Sequence, residues 1–112
     1  MNTERPQIEQ DRSLARRVAG GDQGAFDEFF REYFPRLFRF TLTRADNNPE
    51  LAEEIVQRTM CIVVRKMGNY RGEALLFTWL CQICRNEMHA VYRQRGEEFR
   101  ADIPIDDHPA VQ

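Results

Sequence analysis

At 112 residues, with 42% apolar and 30% charged side chains, the chain has room for one hydrophobic core but not two. No apolar run approaches the ~18 residues that a membrane span needs. Met1 to Gln10 is too polar for a secretory leader, so the composition excludes a membrane protein and points to the cytoplasm. The net charge of −2 hides a basic centre: residues 1–57 carry −3, residues 58–95 carry +5 and residues 96–112 carry −4. A local basic surface attracts phosphate whatever the total charge, although solvated helix faces alone would give the same balance.

Residues 1–10 read as a flexible N-terminus, followed by a short helix from about Asp11 to Val18 that the paired Gly20-Gly21 interrupts. Asp22 is placed to cap a second helix. In that helix Phe26, Phe29, Phe30, Tyr33, Leu37 and Phe40 recur at spacings of three and four, the mark of one buried face. Pro35 falls inside this pattern and predicts a kink or a division, of which the kink is favoured. Ala45 to Asn48 reads as a polar turn, and Asn48-Pro49 as an N-cap followed by proline at the first helical position.

The third helix is expected over 49–67. Leu51, Ala52, Ile55, Val56, Thr59, Met60, Val63 and Val64 form its apolar stripe, Glu53, Glu54, Gln57, Arg58, Arg65 and Lys66 its wet side, and Gly68 its stop. Residues 69–74 have no period and read as a loop. A fourth helix over 75–95 sets Trp79, Leu80, Ile83, Cys84, Val91 and Tyr92 near the core, and Gly96 ends it. Beyond Gly96 an acidic, proline-broken segment over 97–112 reads as a linker. The expected fold class is therefore all-α: a compact helical bundle of three main helices over 11–96, with a short helix in front.

Catalytic groupings are thin. His89 and His108 have no evident partners, and the consecutive pairs Glu53-Glu54 and Glu97-Glu98 diverge on a helix, so they make no acid/base pair. Cys81 and Cys84 form a CxxC in mid-helix rather than after a strand, with Cys61 as the third thiol. Packing cysteines are the expectation, with zinc or redox sensing as alternatives, and no cofactor is expected. More informative is a mixed aromatic and basic cluster: Tyr70, Arg71, Phe77, Trp79, Arg85, Asn86, Tyr92, Arg93 and Arg95. Rings stack on unpaired bases, cations neutralise phosphates and an amide reads a base edge. A core role for Phe77 and Trp79 with solvated arginines is the competing account.

These residues also carry a resemblance. The blocks Gly21-Asp22-Gln23-Gly24-Ala25-Phe26, Tyr33-Phe34-Pro35-Arg36-Leu37-Phe38-Arg39-Phe40, Ala52-Glu53-Glu54-Ile55-Val56-Gln57, Tyr70-Arg71-Gly72, Thr78-Trp79-Leu80 and Ile83-Cys84-Arg85-Asn86, in that order, resemble region 2 of bacterial RNA polymerase sigma factors, nearest the extracytoplasmic-function group of the sigma-70 family. The resemblance implies a non-enzymatic initiation factor that binds core RNA polymerase at the β′ clamp helices and melts the −10 promoter element, with an anti-sigma factor as a further partner. It implies polymerase contact by Glu53, Glu54, Gln57 and Thr59. It places Tyr70, Arg71, Gly72 and Glu73 in a loop that captures a flipped non-template base, Trp79 and Asn86 where melting and base reading occur, and Arg93 on phosphate. Asp46 to Gln57 holds four acids and no base, a face suited to a basic partner. Arg58 and Met60 stand where relatives carry an acid and an aromatic. The helix-turn-helix domain that normally follows is absent, which makes 97–112 look like the start of an interdomain linker. The alternative function is an interaction protein that binds polymerase or an anti-sigma factor without reading DNA.

Overall fold

A computed structural model describes residues 5–96, and within them the chain is made of helices joined by turns and one loop, with no strand. Helix α1 spans Arg5–Ala19, α2 Gln23–Arg44, α3 Pro49–Lys66 and α4 Leu76–Gln94, with a 3₁₀ turn over Met67–Asn69. The expected all-α architecture is what is found. The segment 97–112 expected as a linker lies outside the described residues.

Local signals set most of the boundaries. The Gly21 N–H bonds to the Val18 carbonyl and the Asp22 N–H to the Arg17 carbonyl, with Gly21 at φ +91°, a Schellman ending that only a residue without a Cβ enters cheaply. Asp22 then starts α2, its Oδ1 accepting from the Ala25 N–H at 3.1 Å. Pro35 does not divide α2, which runs unbroken from Gln23 to Arg44. The proline ring faces solvent, where water can satisfy the carbonyl that it leaves unpaired. Asp46 and Asn47 take left-handed conformations, and Asn48 caps α3 through the Leu51 N–H at 3.1 Å, with Pro49 in the first turn. At the other end Gly96, at φ +74°, follows α4.

Several expectations need correction. Helix α1 begins at Arg5, not near Asp11, so residues 5–10 are helical. Gly68 does not stop α3: the helix tightens into the 3₁₀ turn, with Met67 buried. The buried ridge of α2 is Ala25, Phe29, Tyr33, Leu37 and Thr41 at strict four-residue spacing. Phe26 and Phe40 flank it half-buried, whereas Phe30 is 41% exposed. On α3, Val64 lies at the surface rather than in the stripe.

The core gathers Phe29, Leu37, Ile55, Val63, Leu76, Leu80 and Met88 from α2, α3 and α4. Polar contacts also tie these helices together, among them Thr41 Oγ1 to Cys84 Sγ at 3.1 Å, Tyr92 OH donating to Asp46 Oδ2 at 2.7 Å, and Arg58 Nε to Glu87 Oε1 at 3.2 Å. The first leaves Cys84 as a buried packing thiol whose pKa burial pushes up.

A further contact joins α1 to the start of α4. Asp11, on α1 and only 3% exposed, accepts from the Leu76 N–H at 2.8 Å through Oδ2; Oδ1 accepts from Gln7 Nε2 at 2.8 Å and from Tyr33 OH at 3.4 Å. The residue before α4, Leu75, has no side-chain acceptor to offer, so a carboxylate from α1 does the capping. Asp11→Ala therefore leaves a buried N–H and a buried hydroxyl without their acceptor, and is expected to cost roughly 2–4 kcal/mol. Asp11→Asn, which keeps one acceptor oxygen, should cost less. Urea unfolding of the two variants checks the order, and equal, negligible losses would remove the capping role.

Candidate nucleic-acid interface

The loop between the 3₁₀ turn and α4 forms one wall of a cleft of about 550 Å³ lined by Asn69, Tyr70, Arg71, Glu73, Ala74, Trp79 and Gln82. Tyr70 is inward: 9% exposed, its ring centroid 5.4 Å from that of Trp79 and its hydroxyl donating to the Ala74 carbonyl. Burial pushes the Tyr70 hydroxyl up to about 12. Tyr70 thus braces the loop and backs the Trp79 ring; it is not a free stacking platform, a correction to the sequence reading. Arg71 and Glu73 are exposed at the cleft mouth.

Gly72 fixes the loop against α1. It sits at φ +79°, and a Cβ there would lie 2.6 Å from Arg12 Cδ and 3.1 Å from Ile8 Cγ2. The turn therefore depends on glycine both for its backbone angle and for its closeness to α1.

Trp79, Asn86 and Arg93 follow at seven-residue intervals, two turns apart on α4, so they fall along nearly one line with about 10 Å between steps. Trp79 is half-buried, and Asn86 and Arg93 are exposed. Gln82 stands between them, exposed, and reaches the cleft. It and Asn69 were missed in the sequence because a lone amide carries no pattern. The stripe runs away from the cleft as a track with a ring and a cavity at one end, an amide in the middle and a cation at the other.

Phe77 does not join them. Two residues from Trp79, it emerges on the opposite flank of α4, where its ring meets Phe40 edge-on at 6.3 Å and lies under Arg36 at 4.3 Å.

On α3, Glu53, Glu54 and Gln57 are exposed, with Gln57 Nε2 donating to Glu53 Oε2 at 3.3 Å. Thr59 is a correction: it is fully buried, its hydroxyl donates to the Ile55 carbonyl at 2.8 Å, and it cannot reach a docking partner from there. Arg58 turns toward α4, where it meets Glu87 and Gln94.

Residues 29–98 match the family model described as Sigma-70 region 2, which is more than half of the chain. The chain belongs to the sigma-70 region 2 family. It is similar to the RNA polymerase sigma-H factor of Pseudomonas aeruginosa, 33% identical over 89 residues, covering 78% of this chain and 46% of that protein. It is likewise similar to the RNA polymerase sigma factor CarQ of Myxococcus xanthus, 33% identical over 79 residues, covering 70% of this chain and 45% of that protein. The chain thus spans about half the length of the curated relatives it matches. No solved structure matches it. In this sigma-70 region 2 domain no described helix is long and apolar enough to cross a membrane. No group of three or more His, Cys, Asp or Glu among the described residues is placed to hold a metal.

Replacing Gly72 by Ala is expected to destabilise the domain by about 1–2 kcal/mol, the cost of a left-handed non-glycine residue, and to push the loop off Arg12. Urea unfolding reads the first effect and the change in Trp79 fluorescence the second. A variant identical to wild type in both would mean that the loop does not depend on this angle.

Proposed function

We propose that this domain is a non-enzymatic transcription-initiation module of the extracytoplasmic-function type. In this reading it binds core RNA polymerase through the exposed acids of α3 and captures the non-template strand of the −10 element along the Trp79–Asn86–Arg93 track. The observation that carries the proposal is this track with its cleft: one flipped base fits a cavity backed by Trp79 and rimmed by Arg71 and Glu73, the next bases pass an amide able to read an edge, and the backbone reaches a cation. Family membership supports the same reading, since both named relatives are RNA polymerase sigma factors.

Glu53 and Glu54 are exposed on α3 and suit a basic partner surface such as the β′ clamp helices. Factors of this kind act in the cytoplasm and are held in check by anti-sigma factors, and a soluble helical domain with one acidic and one basic face fits both. A purely protein-binding role would need no cleft beside Trp79 and no amide in line with it.

Charge reversal at Glu53 and Glu54, both to Lys, is expected to leave helicity and melting temperature nearly unchanged while weakening polymerase binding about tenfold, because exposed helix charges add little to folding and more to association. Native co-migration with core polymerase measures it, and undiminished binding would remove α3 from the interface.

The strand itself is tested with fluorescent −10 oligonucleotides, matched, scrambled and duplex. The matched single strand should bind best and the closed duplex least, since a duplex must first give up pairing and stacking. Asn86→Ala should cut discrimination between matched and scrambled strands, while Arg93→Ala should weaken all of them alike. Equal affinity for all three DNA forms, unaffected by Asn86→Ala, would leave protein binding as the better account.

A further inference from the structure

The flank of α4 opposite the Trp79–Asn86–Arg93 track has its own pattern. On α2, Arg36, Phe40 and Arg44 follow at four-residue spacing, and on α4 Phe77, Cys81 and Arg85 do the same, so each triplet is a ridge along its helix. The two ridges meet. Arg36 Cζ lies 4.3 Å from the Phe77 ring centroid and 5.1 Å from that of Tyr33, Arg44 Cζ lies 4.0 Å over Phe40, and Arg85 Cζ lies 5.8 Å from the same ring. Phe40 and Phe77 touch edge to face, which makes the arrangement continuous from Arg36 to Arg85.

The charges converge on the middle of the seam. The cations whose fields act to lower the Cys81 thiol pKa are Arg44, Arg85 and Arg36, although burial outweighs them and holds it at about 12. Arg36 keeps its side chain 38% exposed, and its acid neighbour, Glu32 at 3.5 Å, is itself exposed, the kind of surface pair that contributes little and yields readily to a stronger anion. At the N-terminal end, Arg36, Phe77 and Leu75 border a cleft of about 540 Å³ whose other walls carry Arg31 but also Asp11, Glu28 and Glu32, so the cationic part of the seam begins at Arg36 and runs toward Arg85.

We infer that this α2/α4 seam is a second, sequence-independent contact for single-stranded nucleic acid, in which Arg36 and Arg85 hold phosphates and bases stack on the arginine–phenylalanine layers. The inference rests on the proposed reading of the Trp79 track and extends it to the other flank of the same helix, across the start of α4. Guanidinium plates on rings suit a nucleic-acid strand better than a carboxylate-bearing protein. Their faces take bases, their edges take phosphate in a fork, and every base has a π-face. Such a contact adds affinity without base preference, because none of the six ridge residues, Arg36, Phe40, Arg44, Phe77, Cys81 and Arg85, offers the paired donor and acceptor that an amide does. A mere staple between α2 and α4 would need the ring contacts but would give no response to strand length.

The test uses the 112-residue chain and two matched oligonucleotides, one covering only the −10 element and one extended on both sides with thymidines, each titrated across a salt series. Wild type should bind the extended strand about tenfold more tightly. Arg36→Gln with Arg85→Gln should erase most of that gain and lower the slope of log affinity against log salt by about 1.4, the amount for two lost phosphate contacts on a single strand. Its affinity for the short strand and its ratio of matched to scrambled binding should not change. Arg36→Lys with Arg85→Lys should restore the salt slope but only part of the affinity, since an ammonium neutralises phosphate without offering a plate.

Equal slopes and affinities for wild type and the glutamine variant on the extended strand would overturn the inference. So would displacement of that strand by polyglutamate as effective as by oligothymidylate of equal charge, which would mark a surface for an acidic protein. If the double variant loses its helicity, photo-crosslinking of wild type to iodouridine placed in the extension answers the same question: a crosslink at Phe77 or Phe40 supports the seam, and crosslinks confined to the Trp79 side overturn it. Should matched and scrambled short strands bind alike, the track reading fails on its own, while the salt slope on the extended strand still decides the seam.

Discussion

Helix α4 carries most of the proposed DNA contacts, and its starting point is fixed from the far end of the chain. A helix beginning at Leu76 exposes N–H groups that need acceptors, and the residue before it offers none from its side chain. Asp11 supplies one from α1, 65 positions away in sequence, and holds the Tyr33 hydroxyl of α2 with its other oxygen. Burying a carboxylate is costly unless donors surround it, and this one has three. The same helix presents Ile8 and Arg12 to Gly72 in the loop before α4. Helix α1 therefore acts as a jig that sets both the loop and the register of α4. All of these α1 residues precede residue 29, where the match to the family model begins.

The far end of α4 is held just as firmly. Tyr92 reaches the left-handed turn between α2 and α3 through Asp46, and Arg58 spans from α3 to Glu87 and Gln94. These contacts divide the labour between surfaces. Arg58 is engaged with α4 beside the exposed Glu53, Glu54 and Gln57 of α3, while the exposed cation of the α4 track, Arg93, lies on a different helix. A chain with a net charge of −2 can thus present an anionic surface to one partner and a cationic one to another. Total charge governs solubility, whereas local fields govern association.

Features encoded by neighbouring residues were legible in the sequence. The Asp22 cap, the Asn48-Pro49 start, the glycine endings at Gly21 and Gly96 and the buried ridge of α2 each depend on residues within one or two turns, so the chain announces them. Features that depend on the opposite end of the chain were not. Near Arg5 the local signal is slight, a proline at position 6 in the first turn, and α1 gains its stability from packing Leu14, Ala15 and Val18 and from the Asp11 bonds. Periodicity marks the centre of a buried face but not its width, which is why Phe30 and Val64 were placed inside and lie outside. Thr59 was assigned to a docking surface by its position in a motif, yet a threonine whose hydroxyl bonds back to the carbonyl four residues earlier can be buried at little cost. Phe77 and Trp79 were grouped because they are close in sequence; on a helix, a separation of two sends them to opposite flanks.

The loop geometry bears on how so small a domain could hold an unstacked base. Binding a flexible loop and a flexible strand together would lose the entropy of both, and a domain of this size has few contacts with which to offset that loss. Here the loop is already ordered on both sides: Tyr70 bonds to the Ala74 carbonyl across its base, Gly72 is pressed onto α1, and the Trp79 ring is backed by Tyr70. The remaining cost on the proposed reading lies with the DNA, as lost pairing and stacking of a few kcal/mol per flipped base. A preformed cleft makes capture of an opened strand favourable without making spontaneous opening of a duplex favourable. On the proposed reading, strand separation then has to be driven by whatever else holds the DNA, and a polymerase docked on the acids of α3 would be the natural source of that energy.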